Sequence, residues 1–155
     1  MASPHQLAQV NVARLRAPLD APGLADFVAG LDPVNALADA APGFVWRLQT
    51  DEGDATSIRA FDDDMIIVNI SVWDSLEALR DFVYRSDHRT FLARRREWFE
   101  RMDAPIVALW WVPAGHRPTV TEAKERLDAL DRLGPTPEAF TFRTRFPAAA
   151  VPAPG

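Results

Sequence analysis

The stretch that decides the fold reads Met65-Ile66-Ile67-Val68-Asn69-Ile70-Ser71-Val72-Trp73. Its even positions are all aliphatic, whereas Asn69, Ser71 and Trp73 stand at odd positions. A period of two predicts a β-strand with two different faces. The odd face is too polar for an ordinary core and too aromatic for a plain solvent face. It suits the wall of a pocket.

Three more runs are predicted to be strands, and their order along the chain indicates the fold. The runs are 6–14, 44–49, with Phe44, Trp46 and Leu48 on one side, and 106–112. Helical patterns separate them, so the order is β-α-β, β-α-β, followed by an extra helix and an arm with Phe140, Phe142 and Phe146. This order predicts an α+β, ferredoxin-like split βαβ domain with an antiparallel sheet. We expect one domain at 1–147, a polar loop at 50–64 and a disordered Ala/Pro-rich tail at 148–155.

The helices carry recognisable start and stop signals. Asp32-Pro33 interrupts the first helical pattern and predicts a kink or a second start. Capping-box spacing occurs twice, in Asp74/Glu77 and in Thr119/Glu122. A further helical stretch is predicted at 87–102, and Gly134-Pro135 ends the last helix. The expected buried stripes are Leu76, Leu79 and Val83 in one helix and Ala123, Leu127 and Leu130 in the other.

Composition excludes several classes of function. The chain has no cysteine, which rules out disulfides, thiolate catalysis and Cys-based metal sites. A net charge of -5 argues against general nucleic-acid binding. No apolar run approaches the roughly 20 residues that a membrane span needs, and no secretory pattern opens the chain. We therefore expect a cytoplasmic protein with no membrane partner and no nucleic-acid partner.

Short phrases spread over the chain resemble known families. Ser71-Val72-Trp73-Asp74-Ser75-Leu76-Glu77-Ala78-Leu79 is similar to a strand-to-helix phrase of the antibiotic-biosynthesis monooxygenases, within the dimeric α/β-barrel superfamily. A closer resemblance is to the family catalogued as domain of unknown function 3291. The phrases that carry it are Leu7-Ala8-Gln9-Val10-Asn11, Asp32-Pro33-Val34-Asn35, Phe44-Val45-Trp46-Arg47-Leu48, Ser71-Val72-Trp73, Tyr84-Arg85-Ser86-Asp87-His88, Arg94-Arg95-Arg96-Glu97-Trp98-Phe99, Trp110-Trp111-Val112-Pro113-Ala114-Gly115-His116 and Gly134-Pro135-Thr136.

The resemblance implies a dimeric α/β barrel, in which the sheets of two chains meet and each chain keeps a pocket between its own sheet and helices. A physical argument points the same way. A lone split βαβ domain leaves one apolar sheet face open to water, and such a patch marks an interface. We therefore expect a homodimer formed through the sheet face.

The candidate pocket combines polar positions on two strands that the ferredoxin order makes neighbours. Gln9 and Asn11 share one face of the first strand, as do Asn69, Ser71 and Trp73 on the third. These groups either line a pocket and orient a carbonyl, phenol or oxygen species, or pair across the strands to satisfy one another. Some cofactor-free monooxygenases of the superfamily use Asn and Trp in their pockets, and Asn11, Asn69 and Trp73 are the similar positions here.

Other candidates supply proton transfer or aromatic contact. His88 is a candidate general base, Arg95 a candidate partner for a carboxylate or enolate, and Tyr84 a candidate proton donor. For the tryptophans, Trp46 and Trp110 among them, core or dimer packing is the default, and an aromatic wall for a flat ligand is the alternative, with Trp46 and Trp110 as its candidates. No second ligand accompanies His88 at metal-ligand spacing, so no metal site is predicted.

Three hypotheses about function follow. The first is a small monooxygenase-like enzyme, cofactor-independent, acting on an aromatic or polyketide-like molecule, with His88, Asn69 and Arg95 as catalytic residues. The second is a non-enzymatic homodimer that binds a small hydrophobic ligand or acts as an accessory protein. The third is a heme protein. Heme-handling members of the superfamily place a ligand His on the corresponding helix, but that position falls near Ala93 here.

Overall fold

The computed structural model describes residues 5–18, 20–48, 66–83, 95–100 and 105–147, and of residues 31, 32, 34, 95 and 96 it describes the backbone alone. None of the helices in these ranges is long and apolar enough to cross a membrane. The predicted loop at 50–64 and tail at 148–155 lie outside the described residues. The elements are β1 (His5–Leu15), a 3-10 turn (Pro22–Leu24), α1 (Ala25–Ala40), β2 (Phe44–Arg47), β3 (Ile66–Trp73), α2 (Leu76–Val83), α3 (Arg95–Trp98), β4 (Phe99–Glu100), β5 (Val107–Pro113) and α4 (Val120–Leu133).

The strands form one antiparallel sheet with β1 at its centre. β3 pairs with one side of β1 and is itself flanked by β2. β5 and the short β4 pair with the other side of β1, one along its first part and one at its end. This arrangement confirms the predicted ferredoxin-like α+β fold, including the contact between the first and third strands.

The sheet has two chemically different faces. The amide face carries Leu7, Gln9 and Asn11 of β1 opposite Trp73, Ser71 and Asn69 of β3. The aliphatic face carries the alternate positions of the same strands together with those of β5. Its buried residues are Ala8, Val10, Val12, Val68, Ile70, Val72, Ala108, Trp110 and Val112. The alternation read from the sequence of β3 is therefore confirmed.

Helices cover both faces. On the amide face, Phe27 near the start of α1 packs in a cluster with Leu15 at one end of β1. Ala38 near the end of α1 packs with Leu7 and the buried residues of α2 at the other end of the strand. The polar middle of the amide face lies between these two apolar clusters. On the aliphatic face, α4 inserts its buried stripe of Ala123, Leu127 and Leu130, as predicted.

The aliphatic face is already covered within one chain. Val10 and Ile70 are 0% exposed and Trp110 is 1% exposed. The expectation that a lone domain leaves this face open to water is therefore wrong. The split βαβ motif assigns no element to this face, but here the apolar stripe of α4 covers it.

One strand prediction and one helix prediction were also wrong in detail. Phe44, Trp46 and Leu48 do not share a side, because the β2–β3 register shifts between Phe44 and Trp46. Phe44 joins the cluster on the amide face, whereas Trp46 and Leu48 pack on the aliphatic face. A bulge of this kind redirects the side chains that follow it. The helix predicted to continue to residue 102 ends at Trp98, since Phe99 and Glu100 pair with the end of β1.

The helix signals were confirmed at α4 and need correction at α2, and at α1 only the alternative of a second helix start is excluded. Thr119 caps α4 by accepting a hydrogen bond from the Glu122 amide at 3.1 Å, and the chain leaves the helix at Gly134, whose φ is +70°. At α2 the cap is Ser75, whose Oγ accepts from the Ala78 amide, and Phe82 rather than Val83 completes the buried stripe. α1 is one helix with Pro33 inside it.

The stripe of α4 gives a direct test of how the aliphatic face is covered. Leu130→Ala should lower the free energy of unfolding by about 2–5 kcal/mol, because Leu130 is 6% exposed and its removal leaves a cavity against the sheet. Urea unfolding followed by circular dichroism measures the change. Leu133→Ala is the matched control on the same helix, since Leu133 is 63% exposed, and it should shift stability by less than about 0.5 kcal/mol. Equal losses in both variants would contradict this packing.

Candidate functional site

The centre of the amide face brings the predicted polar residues of two strands together. Antiparallel pairing sets Asn11 directly opposite Asn69 and Gln9 directly opposite Ser71. Because alternate residues of a strand point to the same side, all four side chains project from one patch of the sheet. We call these four residues the amide cluster.

Hydrogen bonds join the cluster into one network centred on Gln9. Its Nε2 donates to Asn69 Oδ1 at 2.7 Å and to Ser71 Oγ at 2.8 Å. Its Oε1 accepts from Asn11 Nδ2 at 3.1 Å, and the same Nδ2 lies 3.2 Å from Asn69 Oδ1. The cross-strand pairing that the sequence offered as the alternative is therefore present.

The network nevertheless leaves hydrogen-bonding groups at its edge. No hydrogen bond to any described residue uses Asn69 Nδ2 or Asn11 Oδ1, and both side chains keep intermediate exposure, whereas Gln9 and Ser71 are each 6% exposed. The cluster thus presents an N–H donor beside a carbonyl acceptor. A ligand carrying an oxygen acceptor next to a hydroxyl donor matches this pair.

Trp73 holds one end of the cluster in place. Its Nε1 donates to Ser71 Oγ at 2.9 Å, and its ring stacks on Phe82 and meets Phe44 edge-on, each at 5.3 Å between centroids. The side chain is only 1% exposed. Trp73 therefore supports the cluster from within the core rather than offering a ring face to a ligand.

Two predicted pocket residues lie on the wrong side of the sheet for this site. Trp46 packs on the aliphatic face because of the bulge in β2, and Trp110 is buried on that face with its Nε1 donating to Glu122 of α4 at 2.8 Å. These two tryptophans therefore do not share a face with the amide cluster, and their packing agrees with the default of core packing. Tyr84 and His88 lie outside the described residues, and the structure describes only the backbone of Arg95, in α3.

Two hollows open elsewhere on the described surface. One, of about 470 Å³, lies at the start of α4 and includes His116 and Glu122, whose Nε2 and Oε1 are 2.7 Å apart. This contact joins the loop after β5 to the first turn of α4. The other, of about 290 Å³, lies between the loop before β2 and α2, and includes Asp74 and Asp81. Among the described residues, no three His, Cys, Asp or Glu side chains gather to hold a metal ion.

The central role of Gln9 in the network was not predicted from the sequence. Gln9 was recognised as sharing a face with Asn11, but only the register shows that it bridges Asn11, Asn69 and Ser71. The structure also shows an ion pair for Arg47, an arginine within strand β2. Its Nε donates to Asp39 of α1 at 2.8 Å, which fastens the helix to β2.

Comparison with known proteins gives a family and a fold. The family model described as Domain of unknown function (DUF3291) matches residues 6–154. Among solved structures, the chain is similar to a protein from Nitrosomonas europaea provisionally described as an antibiotic biosynthesis monooxygenase, at TM-score 0.50 and 10% identity over 76% of this chain and 97% of that one. A mutant of SnoaB, a cofactor-independent oxygenase from Streptomyces nogalater, matches at TM-score 0.48 and 19% identity over 74% and 97%. Rv0793 from Mycobacterium tuberculosis matches at TM-score 0.47 and 16% identity over 74% and 99%. No curated protein matches the chain in sequence.

The central position of Gln9 leads to a prediction about stability. Gln9→Leu should lower the free energy of unfolding by about 1–3 kcal/mol, because it removes the partner of buried Ser71 and of both asparagines. Gln6→Leu is the control on the same strand. Its bonds to Asp74 and to the Gly115 amide are exposed, so the loss there should stay below about 1 kcal/mol. Urea titration of both variants measures the difference, and a harmless Gln9→Leu would show that the network contributes nothing.

Proposed function

We propose, since the chain belongs to the family described as Domain of unknown function (DUF3291), that it is a small monooxygenase-like enzyme. Its substrate would be an aromatic or polyketide-like molecule bound on the amide face, between the sheet and the helices. The reaction would need no bound cofactor. The observation that carries this proposal is the half-exposed donor and acceptor pair formed by Asn69 Nδ2 and Asn11 Oδ1.

The chemistry of that pair suits a phenol or enol. An oxygenation without a cofactor draws its electrons from the substrate: a CH₂ group and O₂ become a C=O group and water, after a proton has left the substrate. Negative charge then develops on the phenol or enol oxygen. A fixed amide N–H stabilises such an oxyanion, and it does so best when it is already oriented before the charge appears. In this proposal Asn69 supplies that N–H, and Asn11 accepts a hydrogen bond from a neighbouring hydroxyl.

Hydrogen bonds within the amide cluster orient the side-chain amides of Asn69 and Asn11 before a substrate binds. Gln9 Nε2 donates to Asn69 Oδ1 at 2.7 Å, so the Asn69 amide has its oxygen turned inward and its Nδ2 turned outward. Gln9 Oε1 likewise draws Asn11 Nδ2 inward. Gln9 is thus a positioning residue, and the orientation it imposes costs the bound substrate no reorganisation.

The fold is compatible with this activity. The Nitrosomonas protein that shares it carries a provisional monooxygenase description, although at 10% identity the likeness speaks for the architecture alone. His88 and Arg95 remain the proposed residues for taking the proton and balancing the charge, and Tyr84 remains a proposed substrate contact.

A second candidate function is ligand binding without turnover. It is favoured by the composition of the cluster, since the amides, the hydroxyl and the indole N–H of the described site do not titrate near neutral pH. An enzyme of the proposed kind needs a base from outside this cluster, whereas a binding protein does not.

Replacement of Asn69 tests the donor. With a hydroxyanthrone as the polyketide-like aromatic probe, Asn69→Ala should reduce oxygen consumption about 10²–10³-fold, the usual effect of losing one oxyanion donor. Asn69→Asp is the matched variant, because it keeps the inward oxygen that Gln9 binds but replaces Nδ2 with a second oxygen. It should lose turnover as well while unfolding at nearly the wild-type urea concentration. Full oxygen uptake by both variants would refute the proposed role of Asn69.

His88→Ala separates the two candidate functions. An enzyme that uses His88 as its base should bind the hydroxyanthrone normally but lose turnover about 10²–10⁴-fold, the usual contribution of a general base. Isothermal titration measures the binding, and an oxygen electrode measures the turnover. If the wild-type protein binds the probe and consumes no oxygen, the binding function is the correct one. If His88→Ala keeps full turnover, His88 is not the base.

A further inference from the structure

Two consecutive rows of the amide face are partly open to solvent. A row here means the residues of β1 and β3 that the register sets directly opposite each other on this face. Asn11 and Asn69 form the first open row, and Ala13 and Ile67 form the second. All four side chains keep intermediate exposure. Because consecutive rows lie two residues apart along each strand, their centres are about 6.5 Å apart.

Buried side chains close both ends of this open strip. At one end Gln9 and Ser71 are each 6% exposed. At the other end Leu15 is 3% exposed and packs in one apolar cluster with Phe27 of α1. Ile67 packs against that same cluster, so the second open row continues into the apolar end. The strip is therefore polar at the asparagine pair and apolar beyond it.

Helix α1 crosses over the strip. Its first turn contributes Phe27 to the cluster around Leu15, and its last turn contributes Ala38 to the cluster around Leu7, at the opposite end of β1. The two open rows lie between these clusters. A ligand bound over them lies between a sheet and a helix, which favours a flat molecule.

Ala13 is the position that keeps the second row open. Every other residue that β1 contributes to this face is larger, namely His5, Leu7, Gln9, Asn11 and Leu15. The Ala13 methyl group leaves free the space that a longer side chain would fill. Side chains directly opposite in an antiparallel pair have their Cβ atoms about 4.5–5.5 Å apart. Ala13 and Ile67 therefore share one volume, which a change at either position alters.

We propose that Ala13 determines specificity, by admitting fused-ring substrates that extend from the asparagine pair over the second row. A phenol or enol oxygen at Asn69 Nδ2 fixes one edge of the substrate over the first row. A fused ring then continues over Ala13 and Ile67, whereas a single ring leaves these two side chains in contact with water. Burial of the additional apolar surface favours the larger substrate. This inference rests on the proposed function, because the asparagine pair must hold the substrate oxygen.

Binding measurements with two probes test the proposal. The wild-type protein should bind a hydroxyanthrone at least about 10-fold more tightly than phenol, because only the fused rings bury the second row. Ala13→Leu should weaken hydroxyanthrone binding about 10–100-fold, the usual discrimination when a pocket is altered by a few carbon atoms, and should leave phenol binding unchanged. Ala13→Val should give a smaller loss. Isothermal titration measures all four affinities.

Ala129→Leu is the matched control. Ala129 is also partly exposed, but it lies on α4 and packs against the cluster on the aliphatic face. The same increase in side-chain volume there should leave the affinity for both probes unchanged. Urea unfolding of each variant verifies that it is folded under the conditions of the titration.

A compensating substitution separates lost space from lost stability. The double variant Ala13→Leu and Ile67→Ala returns volume to the second row and should recover hydroxyanthrone binding to within about threefold of the wild type, because directly opposed side chains are energetically coupled. A general destabilisation by leucine would not be repaired in this way, since Ile67→Ala removes further apolar contacts. Failure of the double variant to recover binding would overturn the inference.

The remaining outcomes distinguish this inference from the proposed function. Equal hydroxyanthrone affinity in the wild type and Ala13→Leu, or an equal loss with phenol, would overturn the role of Ala13 and leave the enzymatic proposal in place. Ring selectivity without oxygen consumption would support the role of Ala13 and refute the enzymatic proposal. If the wild-type protein binds neither probe, both are refuted.

Discussion

The register between β1 and β3 is the constraint on which the rest of this structure depends. It sets Asn11 against Asn69 and Gln9 against Ser71, and in the same step places Val10 against Ile70 on the opposite face. A slip of one residue in either strand would turn that strand's amides into the aliphatic core and its valines or isoleucines outward. The pairing of amides and the burial of the aliphatic residues therefore stabilise the same register, although they act on different faces.

Patterns with a strict local period could be read from the sequence, and those that depend on distant partners could not. The alternation in 65–73 predicted both faces of β3, and Thr119 with Glu122 predicted the start of α4, because each signal lies within a few residues of its effect. The bulge in β2 has no such signal. It turns Trp46 to the opposite side of the sheet from Phe44. Trp46, a predicted pocket residue, therefore lies on the aliphatic face.

The same distinction holds for the site. Asn11, Asn69 and Ser71 were found by their polarity on strands predicted to be neighbours, and the structure brings them together. The role of Gln9 depends on three partners, of which Asn69 and Ser71 are 60 and 62 residues away, so it could be seen only in the assembled sheet. The coverage of the aliphatic face by α4 was missed for a related reason. The helix and its stripe were predicted correctly, but a split βαβ pattern does not state which face an additional helix will cover.

The hydrogen bonds of the amide cluster contribute little more to the stability of the sheet than apolar side chains would. An internal hydrogen bond contributes about 0.5–1.5 kcal/mol, and replacing both partners by apolar groups of similar shape is close to neutral. Leucine or valine at these positions would therefore stabilise the sheet about as well. The aliphatic side chains on the opposite face of the same strands do this already. The inner atoms of the asparagine amides are all hydrogen-bonded, whereas Asn69 Nδ2 and Asn11 Oδ1 have no partner among the described residues. Stability alone does not account for this arrangement. In the proposed function a ligand completes this pair, and Gln9, buried beneath it, holds both amides turned toward that ligand.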